Sequence, residues 1–387
     1  MACILEKTTF RKYNMLDTTK VVKRSKHTMS KKIVSILISA ALIAACTAAF
    51  TSCGKDPEVP TVTEGTTASE EATTQDVRSG TLDPLTGKGS YDEKYVGKKP
   101  VAIVVENSPA ARPQWGMTTP DMLVEYEVEG GITRMLWLYS NIDKVPDKVG
   151  PVRSARHDVV ELALGLDALF VHCGGSNFAY DKINTYKGSV LSEIDGMQSQ
   201  PFFERNQTRN VSSEHRLVLR GDGIRSWIES KNINMTLNEA YKNPFSFNAS
   251  AVEPSGKACV SAEISFSAYY NYEFKYDATA KKYNCFINSS ERIDDSGTQC
   301  SYDNVVVLYV DMEAMGTSSG HQNLKLENGG TGLFVSQGKC EEIKWTKGTD
   351  REMLKLTKAD GSVLSLNPGN TYIGFVRSTQ QSATVTK

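Results

Sequence analysis

Between residues 100 and 172 the chain alternates apolar β-branched runs with helix-forming stretches, and this alternation narrows its fold more than any other feature. Pro100-Val101-Ala102-Ile103-Val104-Val105-Glu106 reads as a buried strand, which Asn107-Ser108-Pro109 then breaks. Thr119-Pro120-Asp121 offers a hydroxyl cap with proline at the first helical position, so a helix is expected over 122–128. Gly130-Gly131 ends that element, and Ile132 to Tyr139 supplies a second strand. Gly150-Pro151-Val152-Arg153-Ser154-Ala155-Arg156 leads into a helix from His157 to Leu166, and a third strand follows from Asp167 to His172. Strand and helix at this spacing imply a layered α/β domain whose sheet is at least partly parallel.

The texture changes between about 235 and 258. Beyond it, short segments such as 263–267, 272–277, 305–309, 332–336, 342–347 and 372–377 show period-two alternation with turn residues between them. The expected class is therefore mixed α/β: a layered α/β domain with a mixed sheet over 93–240, then a strand-rich α+β domain over 241–387. Cys259, Cys285, Cys300 and Cys340 all fall in the second part, an even number that allows two disulfides in an oxidising compartment. Of the three pairings, Cys285 with Cys300 and Cys259 with Cys340 is preferred, because a polar segment joins the first two. Free buried thiols are the alternative. Trp345 and the aromatics around Tyr269, Tyr270 and Tyr272 read as core, with a sugar platform as the rival.

The compartment is set by the N-terminus. Lys31-Lys32, an apolar stretch from Ile33 to Phe50, and cysteines at 46 and 53 form a secretion signal ending in a lipid attachment site. Cys46 has the better preceding residues, Ile43-Ala44-Ala45, and Cys53 the better polar flank; a single-pass anchor is the alternative. Residues 1–53 are expected to be extension and signal. Residues 54–92, rich in Thr and Glu, are expected to be a disordered stalk. Either way the body faces the outside of the cell, tethered to its membrane. The first 32 residues hold nine of the 44 basic groups and two of the 45 acidic ones, so the remainder carries a formal charge of −8. Such a surface is a poor match for phosphates of nucleic acid, which is excluded as a partner.

Arg153 and Arg156, three apart at a helix mouth, are placed to share an anion with free backbone amides, or to pair with Glu127, Glu129 or Asp158. His172-Cys173-Gly174-Gly175-Ser176 follows a strand, where α/β domains place ligand contacts. Cys173 and His172 point to opposite faces of that strand, which disfavours thiol catalysis. Glu127 and His215 are the candidate bases, His215 with Glu204 or Glu214 as neighbours; Arg134 and Arg205 complete the candidate electrostatic contacts. No paired histidine or cysteine spacing points to a metal, and no phosphate-loop or dinucleotide fingerprint points to a cofactor.

Pro113-Gln114-Trp115-Gly116, Tyr126 to Arg134, Gly150 to Arg156, His172 to Ser176, His215, Trp345 and Leu366 to Tyr372 together resemble the YerB-like family of bacterial lipoproteins, over roughly 97–378. The resemblance implies a two-part secreted or lipid-anchored protein and no established activity. Cys173 and Arg216 stand where that family usually has a small residue and an asparagine. The expected function is binding of a small anionic ligand or envelope component through Arg134, Arg153, Arg156, Arg205 and the Gly174-Gly175-Ser176 turn. Envelope hydrolysis or transfer, or a protein-interaction scaffold, are the rivals.

Overall fold

The computed structural model describes residues 80–387. The signal segment, Cys46, Cys53 and most of the expected stalk lie outside the described residues. Its last part does not behave as a stalk: Leu85 and Tyr91 are buried, and Asp83 accepts hydrogen bonds from the amides of Leu85 and Thr86. Lys144 and Ser140 hold the other oxygen of Asp83, so this short turn is clamped onto the body.

Five strands form the N-terminal half of the sheet: β1 (Val101–Glu106), β2 (Met122–Glu127), β3 (Thr133–Tyr139), β4 (Leu169–His172) and β5 (Ser192–Asp195). The helices α1 (His157–Gly165) and α2 (Asn177–Tyr186) lie between them in the chain, and α3 (Gly221–Lys231) follows β5. β3 pairs antiparallel with β1 and β2, whereas β1, β4 and β5 run parallel. The sheet is mixed, as the alternation of elements implied.

The segment 122–128, expected as a helix, is a strand. Met122, Val124 and Tyr126 and their alternates Leu123, Glu125 and Glu127 are all buried, six positions that only a strand covered on both faces accommodates. Pairing with β3 on one side and Thr371–Arg377 on the other overrides the Thr-Pro start signal.

The C-terminal half is dominated by strands, and it contributes to the same sheet. Lys355–Lys358, Lys339–Thr346, Gly330–Ser336, Asn304–Val310 and Thr371–Arg377 follow one another and then meet β2, β3, β1, β4 and β5. Thr371–Arg377 is parallel to both of its neighbours, Asn304–Val310 and β2. A second sheet, built on Ser261–Ser267, Tyr270–Asp277 and Lys282–Ile287, packs against one face of the first. Val101, Ile103 and Val105 belong to the same continuous apolar layer as Ile264, Phe266, Tyr272 and Phe274. Ala102 and Val104 point the other way, into the layer with Val159, Val160 and Ala163 of α1. β1 is apolar at nearly every position because both of its faces are core.

Trp345, Tyr270 and Tyr272 are buried in these layers, and only Tyr269 of that aromatic group is exposed. The four cysteines of this half are buried and stand as free thiols. Each preferred partner is a neighbour: the amide of Cys285 donates to the carbonyl of Cys300 at 2.9 Å, and the thiols of Cys259 and Cys340 interact directly. Burial pushes the thiols of Cys259 and Cys300 up to about 12.

Candidate functional site

The C-terminal ends of β1, β4 and β5 lie side by side, the place where parallel sheets leave a crevice for ligands. A cavity of about 370 Å³ opens there, lined by Arg153, Cys173, Gly174, Gly175, Arg205 and Glu214 among others. Its wall is a short parallel ladder. Cys173 donates its amide to Arg153, Ala155 to Gly174 and Ser176 to Ala155, which fixes the arginine segment over the glycine turn. Gly174 has φ of +76°, a left-handed backbone that a side chain would strain. Of the residues singled out in the sequence, Arg153, Gly174, Gly175 and Arg205 meet in this cavity.

Arg153 is the charged centre. Its Nη2 donates to Glu214 Oε2 at 2.7 Å, and that hydrogen bond and charge hold the Glu214 carboxyl below the usual range. Its Nε is buried without a hydrogen-bond partner, 3.7 Å from Glu106 Oε1. Glu106, only 3% exposed, is the end of β1. Its Oε1 faces His215 Nδ1 at 2.8 Å and accepts from Ser108 Oγ at 2.8 Å, while its Oε2 has no hydrogen-bond partner. His215 Nε2 lies 3.8 Å from Glu214 Oε1. The expected neighbour Glu204 is not the residue that holds the ring; Glu106 is.

The loop behind this cluster is rigid for a visible reason. Asn107 Nδ2 is shared among Glu125, Thr133 and Tyr272, and its Oδ1 accepts from Arg112, Gln114 and Arg292. Glu125 is wholly buried, with Tyr372 donating to Oε2 and Tyr272 to Oε1 at 2.9 Å each. Burial pushes its carboxyl up, opposed by these hydrogen bonds and by Arg292. Residues from both halves of the chain thus converge on one polar seam beneath Glu106.

Other expected contacts are committed elsewhere. Arg156 donates through Nε and Nη2 to both oxygens of Glu129, at 2.5 and 2.8 Å. Burial alone would raise the Glu129 carboxyl, but the hydrogen bond and charge of Arg156, with a backbone amide and Arg134, together hold it low. Glu127 accepts from Arg377 Nε and Nη2 at 2.7 and 2.9 Å, so the alternative base is an ion-paired carboxylate outside the cavity lining. Arg134 donates to the Ser154 carbonyl at 2.7 Å, and burial lowers its guanidinium to about 10. Ser176 caps α2, its Oγ accepting from the Ala179 amide. Cys173 lines the cavity, but burial raises its thiol.

One cluster has the composition of a metal site: His172, Glu193 and Asp195, with ligand atoms within 4.8 Å of one another. Its groups already satisfy each other. His172 lies 2.9 Å from Glu193 Oε1 through Nε2 and 2.8 Å from the Gly174 carbonyl through Nδ1, Lys187 pairs with Glu193, and Asp195 accepts from the Gly174 and Met197 amides and Tyr180. Both ring nitrogens of His172 thus already face oxygen atoms of their neighbours. Among the described residues no helix is long and apolar enough to cross a membrane.

Comparison with known proteins gives the frame. Residues 85–234 match the N-terminal domain, and residues 262–373 the C-terminal domain, of a protein family of unknown function (DUF3048). The chain belongs to this family. It is similar to the putative lipoprotein YerB of Bacillus subtilis (strain 168), 29% identical over 296 residues, which are 76% of this chain and 85% of that one. The crystal structure of the YerB protein from Bacillus subtilis aligns with a TM-score of 0.68 at 26% identity, covering 80% of this chain and all of that one. The cavity, Glu106 and His215 fall within the stretch matched by the DUF3048 N-terminal domain, while Arg292, Tyr272 and Tyr372 of the seam fall within its C-terminal partner. Sequence reading missed Glu106 and Ser108. The available signal was a carboxylate closing an otherwise apolar strand.

Proposed function

We propose that this protein is a membrane-anchored, extracytoplasmic lipoprotein that binds an anionic cell-envelope component in the cavity of Arg153 and Arg205. The observation that carries the reading is the buried Arg153 Nε, a donor with no hydrogen-bond partner at the edge of a ligand-sized cavity. Buried donors are almost always satisfied, so an orphan beside a cavity points to a ligand. Glu214, half exposed, occupies Nη2 and is readily displaced by a ligand anion. With Nη2 thus freed, and Nε without a hydrogen bond although 3.7 Å from Glu106, the guanidinium presents the fork that matches phosphate or carboxylate. The anchor rests on the lipid-attachment pattern at Cys46 or Cys53 and on the lipoprotein name of the Bacillus relative.

Calorimetric titration of the full-length protein with glycerol 3-phosphate tests this. Saturable binding that falls at least about tenfold in Arg153→Gln, the loss of a charge-assisted contact, is the expected result. Equal affinity in Arg153→Gln and wild type would overturn the assignment.

A further inference from the structure

We propose that Glu106 and His215 form a proton-transfer pair that hydrolyses a phosphodiester held at Arg153. This deepens the anion-binding reading and rests on it. The tautomer follows from the hydrogen-bond network. Nδ1 of His215 faces Glu106 Oε1 at 2.8 Å, and an ionised carboxylate only accepts, so Nδ1 carries the proton. Nε2 is then the basic nitrogen; His215 stands behind the cavity lining, 3.8 Å from Oε1 of Glu214, the lining carboxylate whose other oxygen bonds Arg153 Nη2, so an anion that displaces Glu214 meets both groups. Glu106 is fixed from both ends: its amide donates to the Pro151 carbonyl at 2.9 Å, and its own carbonyl accepts from Gln114 Nε2 at 2.8 Å. A pinned carboxylate orients an imidazole and stabilises the imidazolium that forms when the ring takes a proton.

The same geometry chooses the nucleophile. Ser108 Oγ sits 3.4 Å from His215 Nδ1, the nitrogen that already faces Glu106, and it donates to Glu106 itself. A serine relay needs the hydroxyl and the carboxylate on opposite nitrogens, so Ser108 positions Glu106 and does not attack. Cys173 is a half-buried thiol in the cavity lining, but partial burial and the nearby Asp195 carboxylate raise its pKa, and no hydrogen bond joins it to a base. Water is therefore the nucleophile. Its oxygen attacks phosphorus while Nε2 of His215 removes one proton; the phosphorus–oxygen bond to the leaving alcohol breaks, and the imidazolium returns that proton to the departing oxygen. One water and one diester give a phosphomonoester and an alcohol. Glu106 remains ionised throughout, and Arg153 with Arg205 faces the non-bridging oxygens.

The charged groups around the ring are Glu106 at the end of β1, Glu214 beside it in the chain, and Arg153 across the cavity mouth. Full-length protein is assayed with bis(4-nitrophenyl) phosphate, release of 4-nitrophenolate is followed as a function of pH, and phosphate binding is titrated in parallel. His215→Gln and Glu106→Gln are expected to lower kcat at least about 100-fold, the scale of general acid–base catalysis, while inorganic phosphate binding persists. Glu106→Gln keeps a hydrogen-bond acceptor for Nδ1 but removes the charge that stabilises the imidazolium, so it also moves the rising limb of the pH–rate profile to lower pH, which loss of packing alone does not do. Arg156→Gln, outside the cavity, retains wild-type turnover. Turnover equal in wild type and His215→Gln, with phosphate still bound, would overturn the proton-transfer pair and leave the binding site standing. Absence of phosphate binding to the wild-type protein would remove both.

Discussion

Arg153 and Arg156 are three residues apart and have opposite fates. The first keeps an Nε without a hydrogen bond beside a cavity; the second grips both oxygens of Glu129. Arg156→Gln leaves the half-buried Glu129 without its bidentate partner, so urea unfolding is expected to show a loss of about 2 kcal/mol, with glycerol 3-phosphate affinity unchanged. Another buried cation tests electrostatics far from the site. Lys347 donates to the carbonyls of Thr349 and Asp350, and burial depresses its ammonium to about 8. Its folded pKa lies below the unfolded one, so between about pH 8 and the ordinary lysine range the unfolded chain binds more protons. The Lys347 contribution to stability therefore rises with pH through that window. The difference in unfolding free energy between wild type and Lys347→Met should change across it, and a constant difference would sink the argument. At this scale the sequence exposed the arginines and the glycine turn, because each sits in a short local motif of its own. Glu106 stayed hidden because its partner His215 lies 109 residues away, and no local pattern encodes that contact.

Among the elements, strands read from apolar runs were legible and the one misread element was β2. Its Thr-Pro entrance is a sound local helix signal, yet the residues behind it are buried on both faces between β3 and Thr371–Arg377, a circumstance fixed by the far end of the chain. Local propensity yields when two strands supply a full set of backbone partners. α2 keeps its local signal: Ser176 Oγ caps it, so Ser176→Ala is expected to cost about 1 kcal/mol in thermal or urea unfolding. The adjacent cysteine pairs on the strand-rich half lead to a chemical expectation. Protein secreted by its own cells and alkylated without reductant should show Cys285 linked to Cys300 and Cys259 linked to Cys340 on peptide mapping, through exchange with an external disulfide. Four alkylated thiols would show that these pairs stay reduced.

At the scale of the whole molecule, the change of texture near residue 240 marks where helices stop, while the hydrogen bonding runs on across it. Thr371–Arg377 sits between β2 and Asn304–Val310, and Tyr372 reaches Glu125 in the seam. Residues 80–240 expressed alone are therefore expected to show no cooperative urea transition, whereas 80–387 unfolds in one. A cooperative transition in the shorter piece would show that the N-terminal half stands by itself. Sequence periodicity distinguishes strand from helix, but it carries no address for the partner strand, which is why the shared sheet was not legible. The place of Thr371–Arg377 also sets a calendar for synthesis. Glu125 leaves the ribosome 247 residues ahead of Tyr372, and β2 waits that long with one edge unpaired. A growing chain of this kind cannot finish its central sheet early, so a stop codon anywhere before residue 371 removes the keystone of the first half as surely as it removes the second.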